Sequence, residues 1–587
     1  MLTPVSSRSV APVSVRAFAP ALWSLLLTFV VLGPLLNSSG YLLLRDAVST
    51  PRSFLTDSAL GLSDAAARAV PQDALLAWVT TVIDGGRAVT VILALSVWAA
   101  GWGTARLVAA VLPRAGVPGQ LVAVTVAIWN PYVAERLLQG HWSLLAGYAA
   151  LPWAMCAAVT IRRRRRGGWP ALALSLAAAG LTPTGVLLAA VGALVVLAVP
   201  GGRVSVPARV AGAVALSVCA SMPWLTATFL TGGGSEADPA GVRAFAGRAE
   251  PMLGTLGSLA GLGGIWNAEA VPESRTTPWA LLGTVLLLVV VGCGVPALWR
   301  RRRHPVVASA ALLAVVAVLG PAAAATSFGL VAGEWSMENV PGAGLLRDTQ
   351  KWVALAMPGY ALAAAAGVGA LRRRFSGPAP VWATAVIAAL LLALPDLAWG
   401  VSGQIRPVHY PDGWQKVTES VTARDGDVAV LPGGMFRIFD FSGPAAVLDP
   451  PPVLDPLPRM VRADVLQTGT LLVAGGAVSG EGHRAVEVER LLLTGAHPSA
   501  LAAQGVGWVV VEHGTPGDHG ESQRTLAALE QVYGDDDLSL YRVDGVTSDA
   551  SPHRASAVAA HLVWLLMSVC GAVGVLVRRF ARARKQP

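Results

Sequence analysis

Long apolar runs alternate with short basic stretches along most of the chain. A helix needs roughly 20 apolar residues to cross a bilayer, and twelve runs reach or approach that length. The runs cover residues 18–36, 88–111, 119–138, 142–161, 169–180, 182–199, 208–230, 278–299, 305–326, 353–371, 380–400 and 557–577. This pattern predicts a polytopic α-helical membrane protein with about twelve transmembrane helices.

The fifth and sixth runs are short, and turn-forming residues lie between them at 181–185. One long helix or two short helices would both fit this stretch. Two crossings place the later Arg runs, such as 300–303 and 372–374, on the same side as 162–166, whereas one crossing moves them outside. Because Lys and Arg concentrate in cytoplasmic loops, we expect two short helices here. Both termini would then be cytoplasmic, and the protein would lie in the cytoplasmic membrane.

The same topology places four long segments outside the cytoplasm, at residues 37–87, 231–277, 327–352 and 401–556. Residues 1–400 then form the membrane domain, and 557–587 supply the last helix and a basic tail.

Segment 401–556 alternates strand-like and helical patterns. The strand-like runs are 427–431, 507–511 and 538–543, and the helical patterns lie around 413–423, 482–495 and 520–533. Such alternation predicts an extracytoplasmic α/β domain with a partly parallel sheet before the last helix.

Composition agrees with a membrane protein and narrows the partners. Hydrophobic residues make up 54% of the chain and charged residues 13%, about half the charged share of a soluble protein. The net charge of +9 comes largely from Arg runs that follow apolar segments, so it reflects topology and predicts no nucleic-acid partner. The four cysteines lie in apolar runs, which excludes an exported disulfide framework. No metal motif is present, and the cofactor stays open, with a divalent cation as the alternative.

The first external segment carries the first candidates for catalysis. Asp46 follows Arg45 about ten residues beyond the first apolar run, and Asp57 comes later. An amphipathic stretch at 74–83 is expected to lie along the membrane surface. A carboxylate at this interface can reach a lipid-linked headgroup, although solvated carboxylates beside a packing helix would give the same pattern.

This layout resembles the GT-C superfamily of polyprenyl-phosphate-sugar glycosyltransferases, in particular the actinobacterial cell-envelope enzymes. The shared features are many spans, a cytoplasmic N-terminus, an acidic first external loop with an interfacial helix, and an exported C-terminal α/β region. The resemblance implies that a first-loop carboxylate deprotonates an acceptor hydroxyl as this hydroxyl displaces the lipid phosphate. Asp46 matches that role by position, and Asp57 is the second choice.

Ionisable residues also crowd the turn after the third run. Glu135 and Arg136 are followed by His141, and such groups at a membrane boundary are functional candidates. Since adjacent helical residues do not face each other, Glu135 and Arg136 each need a partner, such as His141 or a substrate phosphate. The alternative is an aromatic belt whose charged residues extend to water.

The segment 344–352 gives the remaining binding candidates. A helix from Gly344 would place Arg347 and Lys351 on one face, and Asp348 with Trp352 beside them. Two cations suit a polyprenyl-phosphate headgroup, and a carboxylate with an aromatic ring suits a sugar. Ordinary interfacial anchoring would use the same residue types.

Together these features predict an inverting glycosyltransferase that moves a sugar from a polyprenyl-phosphate donor to an envelope glycan or glycolipid. The reaction would take place at the outer face of the membrane. The alternatives are an envelope lipid transporter or flippase and a non-catalytic envelope-assembly protein. Few ionisable residues lie in mid-span, which disfavours ion-coupled transport.

Overall fold

The structure is a computed structural model that describes residues 18–63, 69–165, 167–231, 238–442, 450–469, 471–473, 476–478, 482–547 and 550–583. Arg166 of one predicted Arg run and residues 584–587 of the predicted basic tail lie outside these ranges.

Within the described ranges, nine helices are long and apolar enough to cross a membrane. They are Ala19–Asn37, Gly85–Val111, Pro113–Leu138, Trp142–Arg162, Val206–Leu230, Trp279–Trp299, Pro305–Ala324, Thr349–Phe375 and Arg554–Arg578. One more pair, Ala379–Ala393 and Pro395–Gly403, is bent by 77°. Every predicted apolar run overlaps one of these helices or the short pair described next, and the polytopic helical fold is confirmed.

The fifth and sixth runs form two short helices, Gly168–Ala179 and Pro183–Ala198. Thr182 begins the second helix, and its hydroxyl accepts a hydrogen bond from the Gly185 amide at 3.0 Å. This side chain satisfies one of the amides that a helix start leaves without a partner. The prediction of two short helices is therefore confirmed.

Shorter helices lie between the spans. They are Gln72–Val79, Ala240–Ala244, Gly254–Ala260 and Ser327–Asn339, and the span Pro113–Leu138 ends in a separate helix, Pro131–Leu138.

The α-helix expected from Gly344 is not formed. Two 3₁₀ segments, Ala343–Leu346 and Thr349–Ala356, are separated at Arg347 and Asp348. The buried Asp348 carboxylate is paired with Arg136, which fixes the chain at this break. In a 3₁₀ segment residues three apart lie on the same side, so Lys351 faces Asp348 and does not share a helix face with Arg347.

Eleven short strands are present in the described residues. A hairpin in the first external segment pairs β1 (Leu43–Leu44) with β2 (Ala47–Val48). The other strands are β3 (Asp427–Leu431), β4 (Phe436–Arg437), β5 (Val453–Leu454), β6 (Val465–Leu466), β7 (Leu471–Val473), β8 (Gly476–Val478), β9 (Val506–Glu512), β10 (Glu530–Gly534) and β11 (Leu538–Arg542).

The central sheet of the C-terminal domain has the order β10-β11-β9-β3-β6. Strands β6, β3 and β9 are parallel, and β11 and β10 are added antiparallel. Helices Asp412–Ser420, His483–Leu493, Pro498–Ala503 and Ser522–Leu526 accompany the sheet. The structure therefore has the α/β region and partly parallel sheet that the sequence predicts.

One predicted helix of this domain is wrong in its second half. Residues 520–533 contain a short helix and then β10, which pairs with β11. Backbone pairing with a neighbouring strand overrides the local helical pattern here.

The first external segment lies between the membrane helices and the α/β domain. The Leu454 amide of β5 donates to the Arg45 carbonyl at 2.8 Å, and Tyr41 and Val408 exchange two backbone hydrogen bonds. These bonds place Asp46 at the junction of the two parts of the molecule.

Candidate functional site

A large cavity of about 2380 Å³ lies between one end of the helices and the α/β domain. Six of the predicted site residues line it: Asp46, Asp57, His141, Arg347, Asp348 and Lys351. They come from three loops that are far apart in the sequence. The turn between the two short helices also lines this cavity at 182–184.

Asp46 occupies the centre of a hydrogen-bonded group. Its Oδ2 accepts hydrogen bonds from His141 Nε2 at 2.9 Å and from Gln139 Nε2 at 3.2 Å. Burial raises the pKa of the Asp46 carboxyl, but the hydrogen bonds from His141 and Gln139, together with the charge of nearby Lys351, outweigh it, and the pKa falls below its usual value. Asp46 is thus held as a carboxylate whose other oxygen, Oδ1, has no protein hydrogen bond among the described contacts.

The hydrogen bonds of His141 define its tautomer. Arg136 Nη1 lies 3.0 Å from His141 Nδ1, and a guanidinium only donates, so Nδ1 is the acceptor. The proton of the neutral ring is then on Nε2 and points to Asp46. Burial lowers the pKa of His141, and nearby Lys351 and Arg136 lower it further against the opposing effect of Asp46. His141 therefore orients Asp46 as a neutral hydrogen-bond donor.

Hydrogen bonds to Asp348 and Gln350 hold the Arg136 side chain in place. Its guanidinium donates to both Asp348 oxygens, at 2.9 and 3.3 Å, and to Gln350 Oε1. Arg136 is fully buried, and such a bidentate pair restricts its orientation. Burial raises the pKa of Asp348, but Arg136 and Lys351 hold it well below the usual carboxyl range.

Glu135 braces the same group from the opposite side of the short helix Pro131–Leu138. Its carboxylate accepts from the Gly264 and Ile265 amides at 3.0 and 3.2 Å, and from Gln350 Nε2 at 2.9 Å. Glu135 has no exposed surface. It joins the loop after Gly254–Ala260 to the residue that holds Arg136.

Gly140 allows the loop of His141 to approach the loop of Asp46. Its φ of +85° is in the left-handed region, and a Cβ there would overlap the Ala47 nitrogen and the Leu44 carbonyl. The Asp46 amide donates to the Gln139 carbonyl at 3.1 Å across this contact. A side chain at position 140 would separate the two loops.

Two cations face the cavity beside this group. Lys351 Nζ lies 3.6 Å from Asp348 Oδ2, and the Lys351 side chain is 26% exposed. The Arg347 guanidinium lies over the Phe245 ring, 4.5 Å from its centroid. Cations in this position can bind an anionic headgroup in the cavity.

Four predicted site residues have other positions than expected. Glu135 and Arg136 lie behind the cavity wall, since the hydrogen bonds of their buried charges fix them inside the protein. Asp57 lines the cavity, but it accepts from Arg554 and from the Ser551 amide and so anchors the last helix. Trp352 packs against the hydrophobic core and not on the cavity.

Sequence reasoning missed Gln350 as a member of the group. Its amide connects Arg136 to Glu135 through two hydrogen bonds. The only signal in the sequence was its position between Asp348 and Lys351, since a Gln carries no charge that would single it out.

The donors around Asp46 do not fit a divalent cation. A histidine and a glutamine surround its carboxylate, whereas such cations prefer several carboxylate oxygens. In the ranges that the structure describes, no group of three or more His, Cys, Asp or Glu side chains could hold a metal.

Comparison with known proteins gives a structural neighbour. No protein-family model and no curated protein matches the sequence. The structure matches a cryo-EM structure of arabinofuranosyltransferase AftD from mycobacteria, in class 2 of a mutant, with a TM-score of 0.55 and 18% identity. Class 1 of the same mutant matches with a TM-score of 0.48 and 16% identity.

The match covers 91% of this chain and 42% of the AftD chain, so this chain spans less than half the length of its neighbour. At this identity the likeness concerns the fold. It shows that this chain has a fold similar to that of this arabinofuranosyltransferase.

Proposed function

We propose that this chain is a membrane glycosyltransferase of the GT-C type in the cell envelope. It moves a sugar from a polyprenyl-phosphate donor to a glycan or glycolipid acceptor at the outer face of the cytoplasmic membrane. The observation that carries the proposal is the convergence of Asp46, His141, Arg347, Asp348 and Lys351 on one cavity. Because the structural neighbour is an arabinofuranosyltransferase, a pentofuranose is the first sugar to test.

Asp46 is the general base of the proposed reaction. Its lowered pKa keeps it ionised, and His141 holds one oxygen so that the other can take the proton of an acceptor hydroxyl. The acceptor oxygen then attacks the anomeric carbon of the sugar from the face opposite the phosphate. The bond between this carbon and the phosphate oxygen breaks, and the configuration is inverted.

Arg347 and Lys351 stabilise the departing phosphate, which leaves with the electron pair of the broken bond. Positive groups fixed where charge develops lower the barrier without having to reorganise. Asp348 keeps Lys351 at the cavity wall, at a distance of 3.6 Å.

The decisive experiment uses the full chain in lipid nanodiscs with a polyprenyl-phosphate pentofuranose and a glycan acceptor. Asp46→Asn should lower transfer at least about 100-fold, because a general base contributes this much or more. Asp57→Asn is the matched control and should keep transfer within a few-fold, since Asp57 holds the last helix. Wild-type transfer by Asp46→Asn would overturn the base assignment.

The phosphate site is tested separately. Arg347→Ala should raise the donor KM by roughly tenfold, as expected for a lost charge-assisted hydrogen bond. Arg490→Ala, on the exposed side of the α/β domain, is the control. A flippase would move the labelled lipid across the bilayer without breaking its sugar-phosphate bond, and this result would reject the transferase.

A further inference from the structure

The α/β domain lines the cavity from both ends of its parallel strands, with Asp427 and Gly505 at the amino ends and three loops at the carboxyl ends. Strand β3 is first in the chain and lies in the centre, between β6 on one side and β9 on the other. The chain therefore passes to one side of β3 and then returns to the other. In doubly wound sheets, ligands bind in the crevice at the carboxyl ends of the strands where the order reverses in this way.

The loops after all three strands line the large cavity. They include residues 433–436 after β3, 467–469 after β6 and 515–518 after β9. We call these loops, together with Arg437 and Asp455, the strand-end crevice. Its position agrees with the rule for parallel sheets.

The strand-end crevice opens beside Asp46. The Leu454 amide donates a hydrogen bond to the Arg45 carbonyl at 2.8 Å. Asp455 follows Leu454 in the sequence, and Asp46 follows Arg45. Both of these carboxylates line the cavity. A ligand in the crevice can therefore reach Asp46 without passing through protein.

The floor of the crevice is a buried polar cluster. Arg437 donates to Glu512, lies 3.7 Å from Asp455 and also donates to the Gly433 and Gly434 carbonyls. The Asp455 carboxylate accepts from Gln467 Nε2 at 2.6 Å. Arg437 has 1% exposure, yet its Nη2 has no hydrogen-bond partner. This buried donor is unused although Arg437 lines the cavity.

The charges of the crevice select against a phosphate. Arg437 is its one cation among the described residues, and two carboxylates already neutralise it. Glu489 and Asp518 add negative charge to the same wall, and the two further cations of the α/β domain that line the cavity, Arg459 and Arg484, are paired with Asp73 and Asp427. A neutral polyol suits these groups better, because each hydroxyl can donate to a carboxylate and accept from an amide or a guanidinium.

We propose that the strand-end crevice is an acceptor subsite that binds the hydroxyl groups of a neutral glycan and presents one of them to Asp46. This inference rests on the proposed function. In this arrangement the donor phosphate lies at Arg347 and Lys351 on the helical wall, and the acceptor enters from the α/β domain. Because the cations Arg347 and Lys351 lie on the helical wall and the acidic crevice lies on the α/β domain, the anionic donor is kept away from the crevice.

Binding is measured first, on the full chain in nanodiscs, with a panel of short, fluorescently tagged neutral furanose and pyranose oligosaccharides. Pro516→Trp fills the crevice from an exposed position and should weaken binding at least about tenfold through steric overlap. Gln467→Ala removes one amide and should weaken it roughly fivefold. Gln523→Trp and Gln531→Ala, at exposed positions away from the cavity, are the matched controls and should bind as the wild type does.

Kinetics separate this subsite from the donor site. Both crevice variants should raise the acceptor KM and leave the donor KM unchanged. Asp46→Asn should still bind the panel, although it transfers sugar at least about 100-fold more slowly.

The inference is overturned if no glycan of the panel binds the wild type, if both crevice variants bind it unchanged, or if they raise the donor KM. If the wild type binds a glycan in the crevice but transfers no sugar, the neutral-glycan site stands and the proposed transferase fails. If the wild type transfers sugar and both variants keep the acceptor KM, the transferase stands and the inference fails.

Discussion

The chemistry of Asp46 depends on a series of hydrogen bonds in which each residue orients the next one. Asp348 holds Arg136, Arg136 fixes the proton of His141, and His141 donates to Asp46. Asp348 and Arg136 are buried, and they act on Asp46 through His141. Their effect on catalysis would therefore pass through the position and ionisation of one carboxylate.

The pH dependence of transfer tests the role of His141. His141→Ala removes the main contribution that lowers the pKa of Asp46, while burial continues to raise it. Asp46 should then stay protonated to a higher pH, and the acid limb of the kcat/KM profile should move to higher pH. The profile is measured with donor and acceptor in nanodiscs.

Gln139→Ala serves as the graded comparison, because its hydrogen bond to Asp46 is longer, at 3.2 Å against 2.9 Å. We expect a smaller shift in the same direction. His513→Ala, on the exposed surface of the α/β domain, should leave the profile unchanged. An acid limb at the same pH in His141→Ala would contradict the orienting role.

Gly140→Ala tests the close approach of the two loops. The added Cβ would overlap the Ala47 backbone, and the left-handed φ of +85° adds about 1 kcal/mol of strain. We expect transfer to fall by roughly 10- to 100-fold, because a small misplacement of a catalytic group is costly. Gly514→Ala, also at positive φ but with open space around it, should retain activity, and equal losses in both variants would argue against the contact.

At the scale of elements, the short helix Pro131–Leu138 explains why adjacent charges can serve one site. Asn130 begins this helix, and its side chain accepts from the Val133 amide at 3.1 Å. Glu135 and Arg136 then point in different directions, as adjacent helical residues must. One binds the loop at 264–265 and the other binds Asp348, and Gln350 joins the two.

Glu135→Gln tests the bracing of these elements. Three donors converge on this carboxylate, and an amide would turn an N–H towards at least one of them. We expect a loss of about 1–3 kcal/mol in the free energy of unfolding, because a buried donor loses its acceptor. Chemical denaturation in detergent measures it.

Glu530→Gln, an exposed position on β10, is the control and should change stability by less than about 0.5 kcal/mol. A Glu135→Gln protein as stable as the wild type would show that the brace contributes nothing to folding.

The sequence predicts elements well where one local signal dominates. The apolar runs and the strand at 427–431 depend on side chains within a few residues, and these elements are found. The segment 344–352 and the second half of 520–533 depend on distant partners, which are Arg136 for Asp348 and β11 for β10. Local patterns carry no information about such partners, and both predicted helices are wrong there.

At the scale of the whole molecule, the orientation in the membrane stays a prediction from the Arg runs. The loop of His141, the turn at 182–184 and the α/β domain share one cavity, so they lie at the same end of the helices. The Arg run 300–303 follows the C-terminal end of the helix Trp279–Trp299.

Cysteine labelling in intact cells tests this topology. Asp536→Cys, at an exposed position of the α/β domain, should react with a membrane-impermeant maleimide from outside. Arg302→Cys, its matched partner in the predicted cytoplasmic loop, should react only after permeabilisation. The reverse pattern would invert the topology and place the cavity inside the cell.

The sequence by itself determined the class of the protein, its apolar crossings, the presence of an α/β region and the group of charges from which a site could be built. These features follow from local hydrophobicity and periodicity. Only the tertiary structure decided which charges work together, because the hydrogen bonds join residues 95 positions apart for Asp46 and His141 and 212 apart for Arg136 and Asp348. Burial then assigned Glu135 and Arg136 to support and left Asp46, Arg347 and Lys351 at the cavity.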